Sequence, residues 1–571
     1  MKVTRHLRLR VLGMVAVLAM FGASCGDDSA TPTDDPTDSA DTDTGSDSDS
    51  DSGDSDTGDS DGESADSITI GVFAESQGLD PIIQSSTGLA GGMENAAIYD
   101  VLMRWIPETG EYEPHVAESL TANDDFTEWT LALRPEVEFS DGTPLTADAV
   151  IASINRHIEN NSRTAGLVTP IASMEATDDH TVVFGFESPF ASLPFSLASA
   201  PGMIVNPAAV EAMGEDFPTN PQGAGVGPYV IDSFLPNEAV TLTANPDYWG
   251  GAPAIGELRF VFVAGASATY ETFKSGQFQA AFLRDDAAIN QARDDGFDGF
   301  EAVYSAGGVI LMNNGVRVTC TGEAEDAAIC EGEEAGATPR VESIANDLRI
   351  RQAVAAAINL DTLNERAFEG AGRMSTSLIH EESSWFNGIE GPQYDLDLAT
   401  QLVDEVKAEG WDGTIRIACH DGLPAWGTAV GAMLEAAGFA PVIEDQRDIQ
   451  ANISAIIVQK DFDLACWGLT IADEAPLFAM NRDFNPALNG LGGNFGGYEN
   501  DEVGALLAGA SSAGPDEIQA IVDGIATAYT EDVPLLSLQA TSDFILMNPD
   551  LDGAELTVGS VVLFDDATFA G

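Results

Sequence analysis

Between about residues 390 and 470 two kinds of apolar run take turns, and this limits the fold more than any other feature of the chain. Asp397–Trp411 ("DLATQLVDEVKAEGW") has helical spacing and closes at Gly410. A short β-rich run, "TIRIAC" at Thr414–Cys419, follows it. Then come a helical run at Ala425–Phe439, an extended run at Ala440–Asp445, a helical run around Ile453–Gln459, and the apolar strand "FDLACWG" at Phe462–Gly468. Helices alternating with short apolar strands make βαβ crossovers, which demand a mostly parallel sheet covered on both faces.

The preceding part has another texture. His115–Arg156 predicts a strand over Phe126–Leu133, a turn at Ser140-Asp141-Gly142-Thr143-Pro144, and a helix capped by Thr146 with Ala149, Val150, Ile151 and Ile154 behind it. "SITIGVF", "TVVFGFE", "ELRFVFVAG" and "QAAFLR" read as strands. Gly225–Trp249 reads as a hairpin turning at Pro236-Asn237. Met93–Trp105, Ser267–Phe278 and Leu348–Phe368 read as single helices. Hairpins here and crossovers later describe two α/β bodies with mixed sheets. A chain of 571 residues is long enough for more than one core.

The N-terminus carries an export signal. Four basic residues precede the apolar run Val11–Phe21, which is too short to span a bilayer, and Gly22-Ala23-Ser24-Cys25 follows. Residues 27–66 hold 16 of the chain's 94 acidic residues and no Lys or Arg. They are almost wholly Asp, Ser, Thr, Gly, Ala and Pro, so residues 26–66 are expected to form a disordered acidic linker. It would span roughly 35 Å root-mean-square. With the four basic residues of the signal also set aside, 78 acidic and 19 basic residues remain, a net −59. That balance excludes a nucleic-acid partner, which needs basic stripes. It suits a salty or acidic surrounding, where salt screens self-repulsion.

Five cysteines fit an exported chain, and four remain if Cys25 is modified. Cys320 and Cys330 are expected to form a local disulfide. Cys419 and Cys466 end two strand-like runs and would pair if those strands are neighbours. The six histidines are scattered, no Cys/His set has zinc spacing, and no HExxH, GxSxG or P-loop word occurs. No cofactor or metal site is expected, and no enzyme.

Several words in order resemble the extracytoplasmic solute-binding proteins of ABC importers, family 5, the peptide/nickel-type branch. They are "NAAIYDVLMRW", "FSDGTPLTADAV", "GAGVGPYVIDSF", "NPDYWGGAPAIGELRF" and "DLRIRQAVAAAINLDTL". Within them Gly225, Gly227, Pro228 and Tyr229 match, as do Asn245 to Trp249 and Asp347, Arg349, Arg351, Gln352 and Ala353. Gly22-Ala23-Ser24-Cys25 resembles a lipobox, although Gly22 stands where the pattern prefers Leu.

The resemblance implies a bilobal periplasmic-binding-protein-like fold of type II, in the large cluster with an extra subdomain and hinged lobes. On this reading residues 1–25 are a lipoprotein signal peptide anchored at Cys25. Lobe 1 comprises 67–310 and 540–571, with a subdomain at about 110–200, and lobe 2 comprises 311–539. The implied function is reversible capture of an oligopeptide or similar organic solute for a permease. The protein would be a monomer held by its lipid on the extracytoplasmic face, in the periplasmic space or outside the cell membrane. A surface receptor or scaffold with the same fold is the alternative, and a cell-surface hydrolase a weaker one.

Expected ligand contacts are Trp467 for apolar packing and Asn313 and Asn314 for amide bonds. Peptide-binding members hold the ligand's amine with an Asp after a Trp-containing strand. Asp473 fits that role best, with Glu474 as rival. The loop 317–343 is longer than the family's connector, either a surface insertion or a lip on the cleft.

Overall fold

The computed structural model describes residues 67–84, 87–236, 238–321, 328–488 and 493–570. The signal segment, Cys25 and the acidic linker lie outside the described residues. One mixed sheet of eleven strands runs through the molecule. Ten of its strands are β1 (Ser67–Val72), β2 (Tyr229–Leu235), β3 (Ala239–Ala244), β4 (Glu257–Phe262), β5 (Ala280–Leu283), β6 (Gly299–Met312), β7 (Thr414–His420), β8 (Ala440–Arg447), β9 (Leu464–Trp467) and β10 (Leu535–Met547). Their spatial order is β8-β7-β9-β6-β10-β5-β1-β4-β3-β2, and the two-residue strand Arg373–Met374 also pairs with β10.

The sheet changes character along its length. In one half β7 runs parallel to β8 and β9, as the alternating runs require. In the other, β1 runs parallel to β4 and β5, with the hairpin β2–β3 beyond. Each half has its own pair of cores. Ile545 on β10 packs with Ile70, Tyr99 and Phe282, while its neighbour Phe544 packs on the opposite face with Tyr270 and Phe273. Further up the same strand Leu536 joins Ile310, Val354 and Val430, and Leu535 joins Val309, Phe462 and Ile525. The molecule is therefore bilobal, with only β6 and β10 among the named strands contributing to both halves.

A separate four-stranded antiparallel sheet forms the subdomain, in the order Ala117–Ala122, Glu128–Leu133, Thr181–Phe186, Ile171–Asp178. Helix Ala147–Glu159 covers it, with Val150 and Ile154 buried against Leu131 and Phe184. Thr146 caps this helix by accepting the N–H of Ala149. Asp141 holds the preceding turn, accepting from the Thr143 N–H (2.9 Å) and the Asn206 amide (2.9 Å).

Two helices expected as single rods are each interrupted. Met93–Trp105 stops at Tyr99: Asp100 takes positive φ (57°), and Met103–Ile106 is a strand paired with Glu111–Pro114. The cause is Asp100, whose carboxylate accepts from the Val101 N–H and from the Tyr248 hydroxyl at 2.7 Å. Leu348–Phe368 is two helices, Leu348–Ala357 and Leu360–Ala367. Ile358 is extended and Asn359 caps the second by accepting the Thr362 N–H. In both places a side-chain oxygen offers the backbone an alternative to the helix ladder.

The insertion between β6 and the next helix is a stapled ribbon. Cys320 and Cys330 are bonded, and Val318 and Cys320 donate to the carbonyls of Pro339 and Ala337. Arg340 ties the ribbon down by donating to the carbonyls of Asn314 and Gly315. That attachment is at the end of β6 away from its junction with the other lobe. The described residues of the insertion are thus fastened at the outer end of β6.

Candidate functional site

The carboxyl ends of the parallel strands in both lobes point at one level of the sheet. In the second lobe Trp467, at the end of β9, lies opposite Val309, and the adjoining Gly308 lies opposite Gln539. In the first lobe Leu283, at the end of β5, lies opposite Phe544. The next residue, Arg284, faces Asp543 at 3.3 Å. The stretches 304–308 of β6 and 539–543 of β10 are therefore the floor on which both sets of strand ends converge. Open α/β sheets bind ligands at such a crevice.

The floor is irregular in a way that suits a hinge. Between the pairs Tyr304–Thr541 and Gly308–Gln539 the β6 chain bulges. Ala306 has φ of 50°, and its carbonyl accepts the N–H of Leu469 at 3.0 Å. Ser305 and Ile471 exchange both backbone hydrogen bonds. Gly307 and Gly468 allow this crowding: a Cβ at Gly468 would lie 2.6 Å from the Gly307 carbonyl oxygen. A bulge at this position bends the strand and re-aims its neighbours.

Polar atoms gather here. Trp426 Nε1, Trp467 Nε1, Gln539 Oε1 and Thr541 Oγ1 are buried and have no hydrogen-bond partner among the described residues. Tyr304 and Ser560 share a hydroxyl contact at 2.7 Å, and Ser560 donates to Asp543 at 2.8 Å. Burial raises the Asp543 carboxyl, and the Arg284 charge opposes that. Burial first, then the charges of Asp543 and Glu474, hold the Tyr304 phenol well above its ordinary range. His380 sits nearby, its N–H on Ser305 Oγ, and burial lowers its pKa. Arg373 pairs with Glu301 at 2.5 Å and with Glu382, and approaches Asp286 at 4.0 Å.

The residues singled out in the sequence divide sharply. Trp467 is at the crevice, half-buried and edge-on to Phe495 at 5.9 Å. Asp473 is beside it, but its carboxylate is engaged by Ser383 Oγ (2.6 Å) and the Ser384 N–H (2.8 Å). Its carbonyl accepts Trp385 Nε1. Glu474 bridges to the other lobe, as described below. Asn313 and Asn314, expected to bond a solute, lie at the outer end of β6 with their amides engaged by the backbone. Asn313 donates to the carbonyls of Lys460 and Phe462 and accepts from Gly315 and Val316. Asn314 donates to the carbonyls of Met312 and Pro534. Both fasten the outer end of β6. Cys419 and Cys466 end the neighbouring strands β7 and β9 and are joined beneath this site.

Arg284, Gln539, Thr541 and Asp543 were not legible as site residues. Arg284 follows the end of β5 and the other three lie inside β10, and only the pairing of β10 with β5 and β6 assembles them. Among the described residues no group of three or more His, Cys, Asp or Glu side chains is placed to hold a metal ion. No helix among them is long and apolar enough to cross a membrane.

Residues 111–489 match the signature of "Bacterial extracellular solute-binding proteins, family 5 Middle". The chain belongs to this family. The family is one of bacterial extracellular solute-binding proteins. "Protein XP55" of Streptomyces lividans is 28% identical over 358 residues, 62% of this chain and 59% of that one. The chain thus spans less than two thirds of that relative's length. "Probable D,D-dipeptide-binding periplasmic protein DdpA" of Escherichia coli K12 is 23% identical over 457 residues, 78% of this chain and 82% of the other. Among solved structures, the substrate-binding protein CtaP of Listeria monocytogenes superposes with a TM-score of 0.68 at 19% identity, covering 89% of this chain and 100% of that one. The oligopeptide-binding protein AppA of Bacillus subtilis, solved with a nonapeptide, gives 0.64 at 16% identity with the same coverage. Family 5 folds are bilobal binding proteins, in agreement with the two-lobed sheet.

Proposed function

We propose that this protein captures an oligopeptide or similar organic solute in the crevice between its lobes and hands it, unaltered, to a membrane permease. We further propose that it works as a monomer, tethered by a lipid on Cys25 at the extracytoplasmic face. One observation carries the capture reading. The β6 strand bulges at 305–307, between the lobes' separate cores, where buried polar atoms lie without hydrogen-bond partners among the described residues. A hinge at that level lets two rigid bodies close on a guest and supply hydrogen bonds from both sides. The peptide class follows the printed names of DdpA and AppA. On this reading Trp467 packs against the guest, while the acid that meets an amine remains Asp473 or Glu474.

Native mass spectrometry of the protein purified from its own cells should show a bound small molecule. Calorimetry with that molecule should give saturable one-to-one binding without turnover. A protein that carries nothing and binds no member of a di- to pentapeptide pool would instead be a scaffold. Replacing Cys25 by Ser should move the protein to the soluble fraction, and unchanged membrane recovery would refute the anchor.

A further inference from the structure

Glu474 joins separately built parts of the molecule. Its Oε1 accepts the Gly559 N–H at 3.1 Å, and its carbonyl accepts the Tyr112 hydroxyl at 2.6 Å. Glu474 follows Ile471, which is in a core of the second lobe. Gly559 lies between Val558 and Val561, buried in cores of the subdomain and the first lobe, and Tyr112 packs on the subdomain core. Both bonds therefore cross the crevice. Gly559 and Ser560 hold φ of 65° and 61°, a costly backbone for Ser.

The groups that face this carboxyl are mostly acidic. Asp473 is on its own loop, and Asp543 faces it from β10, with Arg284 against Asp543. Tyr304 faces it from β6 and Tyr112 from the subdomain. Asp473 is itself held by Ser383 and Ser384. Water solvates such a carboxylate in an open cleft. Closure replaces that water with two backbone N–H groups, those of Glu474 and Gly559, and two like charges.

We propose that Glu474 is a proton-linked closure latch: its carboxyl and carbonyl clip the second lobe to Gly559 and Tyr112, and the clipped state is favoured when the carboxyl carries a proton. This rests on the two-lobe capture reading only for the existence of the motion. Burial raises the carboxyl in the closed state; the N–H groups of Glu474 and Gly559 oppose this, and the charges of Asp473 and Asp543 add to it, leaving a net rise. The closed state therefore binds more protons than the open one, and falling pH favours closure, by at most about tenfold per pH unit for one proton. Glutamine keeps the acceptor for Gly559 and removes the charge.

The test is 19F NMR of the full chain labelled with 3-fluorotyrosine, the Tyr112 signal being assigned by Tyr112→Phe. It reads the ratio of bonded to free Tyr112 between pH 4 and pH 8, with no solute added. In the wild type the ratio should rise several-fold as pH falls. In Glu474→Gln it should stay high and flat, and in Glu474→Ala low and flat. A wild-type ratio that ignores pH, or a Gln variant that behaves like Ala, overturns the latch. If the Ala variant fails to fold, the wild type and the Gln variant decide alone. The solute is tested separately by mass spectrometry, so a protein that carries no guest yet closes with acid keeps the latch and loses the capture reading.

Discussion

Gly225 shows how closely the first lobe is built, and replacing it by Ala measures that. Its backbone lies against the end of helix Gly92–Tyr99. A Cβ there would sit 1.9 Å from the Ile98 carbonyl oxygen, 2.6 Å from its carbon and 3.0 Å from Tyr99 Cα. Ordinary contact begins near 3.4 Å, so the chains must part by about 1.5 Å. The obstacle is backbone on every side, so no rotamer change relieves it. The displacement also strains the bonds from Gly227 N–H to the Ile98 carbonyl (2.9 Å) and from Ser140 N–H to the Gly225 carbonyl (2.9 Å). Overpacking costs about 1–3 kcal/mol and each lost hydrogen bond about 1 more, so Gly225→Ala should lose about 3 kcal/mol or more. At roughly 2–4 °C per kcal/mol for lobes of this size, the first-lobe transition should fall by about 6–12 °C in thermal unfolding followed by circular dichroism. Gly166→Ala is the control. No atom lies within 4 Å of its Cβ position and its φ is not positive, so the change should be neutral or stabilising by up to about 1 kcal/mol. Equal Tm values for the two variants would refute the steric account of the glycine word.

Arg156→Met should destabilise by about 3–5 kcal/mol, because it strands buried Asp80, which now receives two guanidinium bonds at 2.7 and 2.5 Å; urea unfolding measures it, and a loss under 1 kcal/mol would show that the ion pair is dispensable. Glu94 is buried and burial pushes its carboxyl up to about 7. The folded state then keeps a proton that the unfolded state releases near 4.5, so stability should fall as pH rises from about 4.5 to 7, by up to about 1.4 kcal/mol per unit, and then level off. Glu94→Gln should flatten that part of the pH–stability curve, and an unchanged slope would place the titration elsewhere. Raising NaCl from low to molar concentration should raise Tm by screening the net −59 of the globular body, and a flat response would sink the self-repulsion argument.

The elements with strong local signals were readable. The run of helices and strands from 396 to 467 appears in order, as does the Thr146 cap. The two broken helices were not: one break draws on Tyr248, distant in sequence, and the other is a local Asn359 cap inside an otherwise helical run. Asp100 stops its helix with help from Tyr248, and the tie of Asn245 to the Gly227 carbonyl sets the same corner. Of the expected ligand residues, Trp467 could be placed at the crevice because it ends a strand. Asn313 and Asn314 lie at the outer end of β6, where their amides satisfy neighbouring carbonyls.

Periodicity and turn chemistry act over a few residues, so the sequence alone determined which segments are strands, helices and caps, and its ordered words marked the family. Which strand lies beside which is a matter of long-range pairing. Only the tertiary structure decided that β6 and β10 run side by side from one lobe to the other. Beside the β5–β10 pairing that sets Arg284 against Asp543, it sets Gln539 against Gly308, from stretches more than two hundred residues apart. It also carries Glu474 across to Gly559. Those contacts need the whole chain packed, because each becomes favourable only after the two lobes have buried their own cores.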